Sequence, residues 1–392
     1  MKRIVICYAD TGGGHKQAAD AIREAILEVH ASSGSSSNIE VITQGALQSK
    51  NVLNSAFLDF YNYLLRHHPA RMKHYYRFIE WLKPNESKLA YKMCGDFARN
   101  MWMALRPAVV VSVHPMLNHY THLGLIDAGL RDETRFVIVV TDPNAGLWSG
   151  WACKAADLII APNDLAAIRL RDLGVNPNTI RTIGMPVKPS FLRPPLIDRD
   201  QLLRELGLGP NRITILLSGG WAGGGAVLQI YRALQEVRRP IQVVVLCGHN
   251  SDLLDQLHAA TVGSALPTAV LPFVDSLADL MSACDLLITK GGGLTTAEAV
   301  ARRIPMVLDM LSEPMPQEAG TVNLLIEAGL AQPMKSIADI ARIVQSFQPA
   351  PDRLDKPLPA VHNLDRSDAV FDIAREILGI AETVKNLSAA SS

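Results

Sequence analysis

Glycines and an acidic residue in the second half of the chain could bind a phosphorylated sugar. Gly291, Gly292 and Gly293 follow a short apolar run and precede a helical pattern, with Glu298 about one turn inside it. Glycine lets a ligand approach the main chain, and the free amides and positive dipole of a helix N-terminus suit a phosphate. Glu298 could accept hydrogen bonds from both hydroxyls of a ribose. Alternatively, this is an ordinary strand-loop-helix unit, and Glu298 is there only because the positive end of the helix dipole favours a carboxylate.

A polar pair follows the next apolar run. Gln317 and Glu318 end a proline-rich loop and are suited to the hydroxyls of a sugar. Together with the residues predicted to bind a phosphate and a ribose, this pair indicates that the ligand is a nucleotide sugar.

A second glycine loop, near the start of the chain, ends in a histidine. Gly13 and Gly14 follow an apolar strand pattern, and His15 precedes a helix whose apolar residues recur at helical spacing. Ligands of open α/β sheets bind at the carboxyl ends of the strands, and a neutral imidazole there can take a proton from an attacking hydroxyl near pH 7. His15 is therefore a candidate general base. The alternative is a histidine that only caps the helix.

Apolar strands and amphipathic helices alternate between these loops. His114 and Asp142 each follow a strand pattern and are candidates for the acceptor side of a site, although an aspartate at a strand end is as often a helix cap. After a stiff proline-rich run at 184–195, the pattern restarts with a strand and the glycine loop 218–225. Strands that are almost wholly apolar are buried on both faces, which predicts parallel sheets.

The length of the chain predicts two domains, because 392 residues exceed one ordinary hydrophobic core. We expect an N-terminal domain at 1–190 with a helical insert at 51–106. A C-terminal domain should follow at 196–365. A final helix at 366–381 should pack back towards the N-terminal domain.

Charge and cysteine usage exclude several classes of protein. The formal net charge is zero, which gives no case for a nucleic-acid partner. The five cysteines are far apart and form no Cys-x-x-Cys pair, which indicates a reducing cytoplasm without a disulfide framework or a zinc site. Asp198-Arg199-Asp200 has the Asp-x-Asp form of metal-dependent transferases, but it precedes a helical run, so we interpret these acids as a helix start. We assign no metal and no cofactor, and no apolar run of about 18 residues predicts a membrane span.

Residues 57–83 of the insert combine aromatic and basic side chains. Such a mixture suits an anionic membrane surface, where each Lys or Arg contributes on the order of 1 kcal/mol and aromatic rings lie among the headgroups. The alternative is an ordinary helical insert whose aromatic residues form a core.

Several motifs, in order along nearly the whole chain, resemble those of the monogalactosyldiacylglycerol synthase and processive diacylglycerol glucosyltransferase family. They are the Gly-Gly-Gly-His sequence at 12–15, Ser112-Val113-His114-Pro115, Val140-Thr141-Asp142, Gly184-Met185-Pro186-Val187, Phe273-Val274-Asp275, the segment 288–298, and Gln317-Glu318. A wider relative is the peptidoglycan transferase that adds N-acetylglucosamine to lipid I. The resemblance implies the GT-B fold, an α/β architecture in which two Rossmann-like domains with parallel sheets face each other across a cleft.

The same resemblance implies transfer of a hexose, galactose or glucose, from a UDP-sugar to a diacylglycerol-type lipid with inversion. The UDP-sugar is then a co-substrate rather than a cofactor. His15 would be the base, with Asp142 nearby, and His114, Pro115 and Trp148 would lie on the acceptor side. The implied donor-site residues are Gly13, Gly14, Ser218, Gly219, Gly220, Phe273, Val274, Lys290, Gly292, Gly293, Leu294, Thr295, Glu298, Gln317 and Glu318. Among them, the main chain of Val274 would hold the uracil.

Two alternatives stay open on the sequence. One is a GT-B enzyme that uses UDP-N-acetylglucosamine, either a lipid I-type transferase or a 2-epimerase; the aromatic and basic insert argues against the epimerase, which handles no lipid. The other is a nucleotide-sugar-binding protein without turnover, against which His15 argues. For a lipid transferase, the expected location is cytoplasmic and peripheral, on the cytoplasmic face of a membrane.

Overall fold

A computed structural model describes most of the chain as two compact units. The described residues are 1–9, 13–34, 38–45, 63–64, 72–83, 86–92, 94–275, 277–350 and 368–384. The first unit, the N-domain, holds the described residues of 1–61, 74–189 and 362–392, and the second, the C-domain, holds those of 62–73 and 190–361.

The described part of the N-domain is built on a six-stranded parallel sheet. Its strands are β1 (Lys2–Tyr8), β2 (Ile39–Gly45), β3 (Val109–Ser112), β4 (Arg135–Val139), β5 (Leu158–Ala161) and β6 (Ile180–Thr182). They lie in the order β2-β1-β3-β4-β5-β6, so the chain leaves the neighbours β1 and β3 in opposite directions. The carboxyl edge at such a switch point is where open α/β sheets bind ligands.

Helices lie between these strands along the described chain. They are α1 (Gly14–Ser32), α2 (Met72–Leu82), α3 (Lys88–Lys92), α4 (Gly95–Leu105), α5 (Asn118–Asp127) and α6 (Asp164–Asp172). The apolar side chains of β3 and β4, including Val110, Phe136 and Ile138, are wholly buried. Burial on both faces explains why these strands are almost wholly apolar, and it confirms the predicted parallel sheet.

The C-domain repeats this plan with a second six-stranded parallel sheet in the described residues. Its strands are β7 (Ile213–Ser218), β8 (Ile241–Leu246), β9 (Thr268–Leu271), β10 (Leu286–Thr289), β11 (Met306–Asp309) and β12 (Ala331–Met334). The order is β12-β11-β10-β7-β8-β9. Its switch point therefore lies between β7 and β10, which are the strands that precede the two glycine loops.

The helices of the C-domain alternate with its strands. They are α7 (Arg199–Glu205), α8 (Val227–Gln235), α9 (Ser251–Thr261), α10 (Ala278–Ala283), α11 (Gly293–Ala301), α12 (Pro316–Glu327) and α13 (Ile337–Ser346). Asp198 caps α7, because its carboxylate accepts hydrogen bonds from the amides of Asp200 and Gln201 at 2.9 and 3.3 Å. This confirms that Asp198 is a helix-start residue.

The last described helix, α14 (Ala369–Thr383), packs on the N-domain. Its apolar face is buried through Ile373 and Ile377, and the ammonium of Lys2 donates hydrogen bonds to the carbonyls of Ala381 and Glu382 at its end, at 2.8 and 2.9 Å. A cation at the C-terminal end of a helix is favoured by the helix dipole. Among the described helices, none combines the length and the apolar character that crossing a bilayer requires.

Candidate active site

His15 lies in the first turn of α1, directly after β1. Gly13 has φ of 76°, a left-handed conformation that favours glycine and lets the chain turn from the strand into the helix. Nδ1 of His15 lies 2.7 Å from the carbonyl oxygen of Val113 and 3.3 Å from Oγ1 of Thr141. Because a carbonyl oxygen can only accept, neutral His15 carries its proton on Nδ1 and its lone pair on Nε2. This tautomer suits a general base that acts through Nε2.

The surroundings of His15 keep its ring neutral. Burial lowers the pKa of His15 to about 4, although the hydrogen bond to Val113 opposes this shift. The ring of His114 meets it edge to face, with centroids 4.3 Å apart. Burial, and then the nearby His15, lower the pKa of His114 well below its usual range. Both histidines are therefore uncharged near pH 7.

Asp142 follows β4 and is anchored by Trp151. The indole Nε1 of Trp151 donates a hydrogen bond to Oδ2 of Asp142 at 2.7 Å, and the ring of Trp151 lies 6.3 Å from that of His15. Burial raises the pKa of Asp142 to about 6, and the bond from Trp151 opposes that rise. The structure thus brings the two candidate catalytic residues close to one indole ring. Trp151 is not among the residues that the sequence motifs predict, although it comes only three residues after Trp148.

The three acceptor-side candidates lie at the same edge of the N-domain sheet. His114 accepts a hydrogen bond at Nδ1 from the amide of Met116 at 3.2 Å. Pro115 and Trp148 meet at Gly150, where an added Cβ would lie 2.7 Å from the Trp148 ring and 3.0 Å from the Pro115 carbonyl oxygen. Because there is no room for a side chain at Gly150, the ring of Trp148 packs directly on the main chain.

The glycine loop after β7 is folded on itself. Oγ of Ser218 accepts from the amide of Gly220 at 3.2 Å, and the amide of Gly224 donates to the carbonyl of Gly219 at 3.2 Å. The amide of Gly223 donates to the carbonyl of Gly220 at 3.0 Å. The sequence predicts that residues 218–220 hold a diphosphate. Loop amides that already donate hydrogen bonds within the loop can bind a diphosphate only if they exchange these internal hydrogen bonds for hydrogen bonds to the ligand.

The N-terminus of α11 offers amides in a better arrangement. The first main-chain bond of this helix runs from the amide of Thr296 to the carbonyl of Gly292 at 3.0 Å. The amides of Gly293, Leu294 and Thr295 come before it, and the first amides of a helix have no partner within the helix. The turn that the sequence predicts to bind a diphosphate therefore has the geometry of a helix N-terminal anion site.

Lys290 lies beside this turn, among acidic groups. Burial lowers its pKa, while the carboxylates of Glu318 and Asp309 oppose the shift. An added Cβ at Gly225 would lie 2.6 Å from Cε of Lys290, and one at Gly292 would lie 3.8 Å from Oε1 of Glu318. The loop after β7, the turn after β10 and the start of α12 thus come together around one lysine.

Two further donor candidates lie on α11 and α12. Glu298 is on the inner side of α11 and only 1% exposed. Gln317 lies next to Glu318 in the first turn of α12, with Nε2 3.6 Å from Sδ of Met315. The roles of both residues stay predictions.

Phe273, the predicted neighbour of the uracil site, belongs to an aromatic group after β9. The ring of His249 stacks on it with centroids 4.3 Å apart and an angle of 18°, and Trp221 meets His249 at 5.0 Å and 61°. Phe273 and Val274 are half-buried. Trp221 and His249 have no predicted role from the sequence motifs, although each comes three residues after a strand of the parallel sheet.

The described residues contain no group of three or more His, Cys, Asp and Glu side chains arranged to hold a metal ion. Residues 57–62 and 65–71 of the predicted membrane segment lie outside the described part of the chain.

Comparison with known proteins identifies relatives of both halves. The family model described as monogalactosyldiacylglycerol (MGDG) synthase matches residues 15–187, and that of the glycosyltransferase family 28 C-terminal domain matches residues 223–315. The chain is 31% identical to monogalactosyldiacylglycerol synthase, chloroplastic, of Spinacia oleracea, over 96% of this chain and 72% of that protein. It is 30% identical to monogalactosyldiacylglycerol synthase 2, chloroplastic, of Arabidopsis thaliana, over 97% of this chain and 81% of that protein.

Solved structures share the fold at lower identity. MurG of Acinetobacter baumannii has a TM-score of 0.54 at 15% identity, covering 98% of this chain and 99% of that one. The UDP complex of MnaA from S. aureus has a TM-score of 0.60 at 13% identity, covering 97% and 98%. These similarities confirm the α/β architecture of the GT-B fold that the sequence predicts.

Proposed function

The chain belongs to the monogalactosyldiacylglycerol synthase family, and from this membership we propose that it transfers galactose from UDP-galactose to the free hydroxyl of a diacylglycerol. The observation that carries the chemistry is the fixed tautomer of His15, which leaves the Nε2 lone pair as a proton acceptor. The curated relatives are named as synthases of this galactolipid. The family therefore favours a lipid transferase over the epimerase and over the binding protein without turnover.

The reaction is a single displacement at the anomeric carbon of the sugar. The lipid hydroxyl oxygen attacks C1 of the galactosyl group as the bond from C1 to the β-phosphate oxygen breaks, so the configuration at C1 inverts. The hydroxyl proton passes to Nε2 of His15, and UDP leaves with the bonding electron pair. A positioned base of this kind supplies a rate gain of about 100- to 10,000-fold. Asp142, whose pKa lies near 6, is the second candidate for this role.

The C-domain holds the donor in this proposal. The first amides of α11 and the ammonium of Lys290 stabilise the negative charge that develops on the departing diphosphate. Such donors contribute roughly 3 to 4 kcal/mol each where they are well placed. Gln317 and Glu318 bind the hexose hydroxyls, Glu298 binds the ribose, and no step needs a metal ion.

Membrane docking is the part of the proposal that α2 supports. Phe78, Trp81 and Leu82 are 55%, 79% and 51% exposed, whereas Ile79 on the same helix is buried. Arg77 is exposed beside them. Exposed aromatic and basic side chains on one helix fit an anionic lipid surface better than the alternative in which the aromatic residues form a core. We therefore propose that the segment 57–83 docks on the membrane that contains the acceptor.

We further propose that the protein works as a peripheral enzyme on the cytoplasmic face of its membrane. The dispersed cysteines, which are all free thiols, fit a reducing compartment. The plant relatives carry the designation chloroplastic in their names.

The proposal is tested with purified protein, vesicles that contain diacylglycerol, and UDP-galactose, UDP-glucose and UDP-N-acetylglucosamine in parallel. Galactosyldiacylglycerol should form fastest with UDP-galactose. His15→Ala should lose about 100- to 10,000-fold in turnover while UDP affinity stays within about twofold, because the base acts in the transition state. His30→Ala, on the same helix, is the matched control. Tight UDP binding without any lipid product from any donor would instead support the binding-protein alternative.

A further inference from the structure

Three aromatic rings follow three neighbouring strands of the C-domain sheet. Trp221, His249 and Phe273 come two or three residues after β7, β8 and β9, which lie side by side. Because the carboxyl ends of parallel strands meet at one edge, the three rings gather at that edge. His249 is exposed, and the other two rings are half-buried.

The rings are arranged for stacking. Those of His249 and Phe273 are nearly parallel, with an angle of 18° and centroids 4.3 Å apart, and Trp221 supports His249 edge-on at 5.0 Å. A separation of 4.3 Å leaves no space for a further ring between His249 and Phe273. Because His249 is the exposed member of the stack, its free side is the face on which a planar ligand can extend the stack.

The main chain fixes this arrangement before any ligand binds. The amide of His249 donates a hydrogen bond to the carbonyl of Trp221 at 2.9 Å. Gly248 has φ of 58°, and an added Cβ there would lie 2.4 Å from the Trp221 carbonyl oxygen. The side-chain amide of Asn250 donates to the carbonyl of Gly223 at 2.9 Å. The loops after β7 and β8 are thus locked together, which lowers the entropic cost of binding.

The position of the rings matches one end of a nucleoside diphosphate. His249 follows β8 and Lys290 follows β10, and these strands are separated by two strand spacings, about 10 Å. An extended nucleoside diphosphate has a similar length from its base to its outer phosphate. With the phosphates at Lys290 and the start of α11, the base reaches the aromatic rings.

We propose that His249 stacks on the pyrimidine base of the donor nucleotide, with Phe273 behind it and Trp221 against its edge. The inference rests on the proposed function, because it takes a UDP-sugar as the ligand. It adds two residues, Trp221 and His249, to the nucleotide site, and it makes ring stacking a source of donor affinity.

The test compares UDP with 5,6-dihydrouridine diphosphate by calorimetry. The second ligand keeps the ribose, the diphosphate and the hydrogen-bonding edge of the base, but its ring is puckered and not aromatic. Loss of base stacking on an aromatic side chain weakens binding by about 5- to 150-fold. Wild-type protein should therefore prefer UDP by a factor in that range.

Substitutions assign the preference to one ring. His249→Ala should weaken UDP binding about 5- to 150-fold and remove the preference for UDP over the dihydro ligand. His249→Phe should retain the affinity for UDP and this preference. Trp221→Ala should reduce the preference. His258→Ala, at an exposed histidine of α9, is the control that should match wild type. If His249→Ala loses affinity for both ligands equally, the preference for UDP is retained without the imidazole, and the stacking role is overturned.

The outcomes separate this inference from the function on which it rests. If wild type binds UDP and His249→Ala binds it as tightly, the stacking role is wrong and the transferase stands. If wild type binds no UDP, the proposed function fails and the stacking role fails with it.

Discussion

The hydrogen bond from Trp151 to Asp142 makes a quantitative prediction about the pH dependence of turnover. Burial raises the pKa of Asp142 to about 6, and the indole N–H favours the ionised carboxylate. Trp151→Phe removes this donor but keeps an aromatic ring. A hydrogen bond to a charged group contributes about 1.5 to 3 kcal/mol, and one pKa unit corresponds to about 1.4 kcal/mol. The pKa of Asp142 should therefore rise by roughly 1 to 2 units, to between about 7 and 8.

The direction of the shift in activity follows from the sign of this change. If turnover needs ionised Asp142, the acidic limb of the kcat/KM profile of the wild type lies near pH 6. In Trp151→Phe, the limb should then move to higher pH, and turnover at high pH should recover. His15 does not confound the profile above pH 5, because its pKa lies near 4.

The assay is the initial rate of lipid galactosylation between pH 5 and 9 at low donor concentration. Asp142→Asn should abolish the limb and reduce the rate at every pH, and thermal unfolding checks that each variant is folded. An acidic limb that stays near pH 6 in Trp151→Phe would refute the role of ionised Asp142. A wild-type profile that stays flat down to pH 5 would remove Asp142 from the titration and leave His15, whose pKa lies near 4, as the only base that the profile allows.

Three other predictions concern stability, donor binding and the membrane. His15 has a folded pKa near 4 against 6.5 when exposed, so its contribution to stability is present above pH 6.5 and is lost as the pH falls towards 4. Because the pKa values of His114 and Asp142 are also shifted, the effect of His15 is measured as a difference: the loss of unfolding free energy from pH 7 to 5, from chemical denaturation, should be about 2 kcal/mol greater in wild type than in His15→Gln. Equal losses in the two proteins would contradict the shift. Glu298→Gln should weaken UDP binding at least about tenfold, because charge-assisted hydrogen bonds contribute about 1.5 to 3 kcal/mol each. The control Glu327→Gln on α12 should bind UDP as wild type does. If calorimetry gives Glu298→Gln the same UDP affinity as wild type, Glu298 is not part of the site. Replacing both Phe78 and Trp81 by Ser should reduce flotation with anionic vesicles at least about tenfold. The reason is that each ring buries roughly 100 Å² in the membrane surface, at about 25 cal/mol per Å². Flotation equal to that of wild type would assign docking to another surface.

Periodic features of the fold were predictable from the sequence. The apolar runs that form β3, β4 and β10 predicted parallel strands, because a strand buried on both faces has apolar side chains at nearly every position. The same logic predicted that His15, His114 and Asp142 lie at the carboxyl ends of strands. Motif residues at strand ends are therefore the part of the site that a sequence predicts best.

Contacts between loops were not predictable. The bond between Trp151 and Asp142 and the stack of His249 on Phe273 join residues whose loops have no periodic pattern, and their geometry depends on strand order. The internal bonds of the loop at 218–225 were missed because glycine count alone does not say which amides remain for a ligand. Of the predicted docking segment 57–83, the structure describes only part, and there it shows exposed rings on α2 that periodicity alone left undecided.

The most direct test of the central claim follows the anomeric carbon through the reaction. UDP-galactose labelled with carbon-13 at C1 is incubated with the protein and diacylglycerol vesicles, and the signal is followed by NMR. Inverting transfer predicts that the α-linked signal of the nucleotide sugar decays as a β-linked galactosyl lipid appears in equal amount. An α-linked lipid, or a label that stays on the nucleotide while diacylglycerol is in excess, would contradict the account.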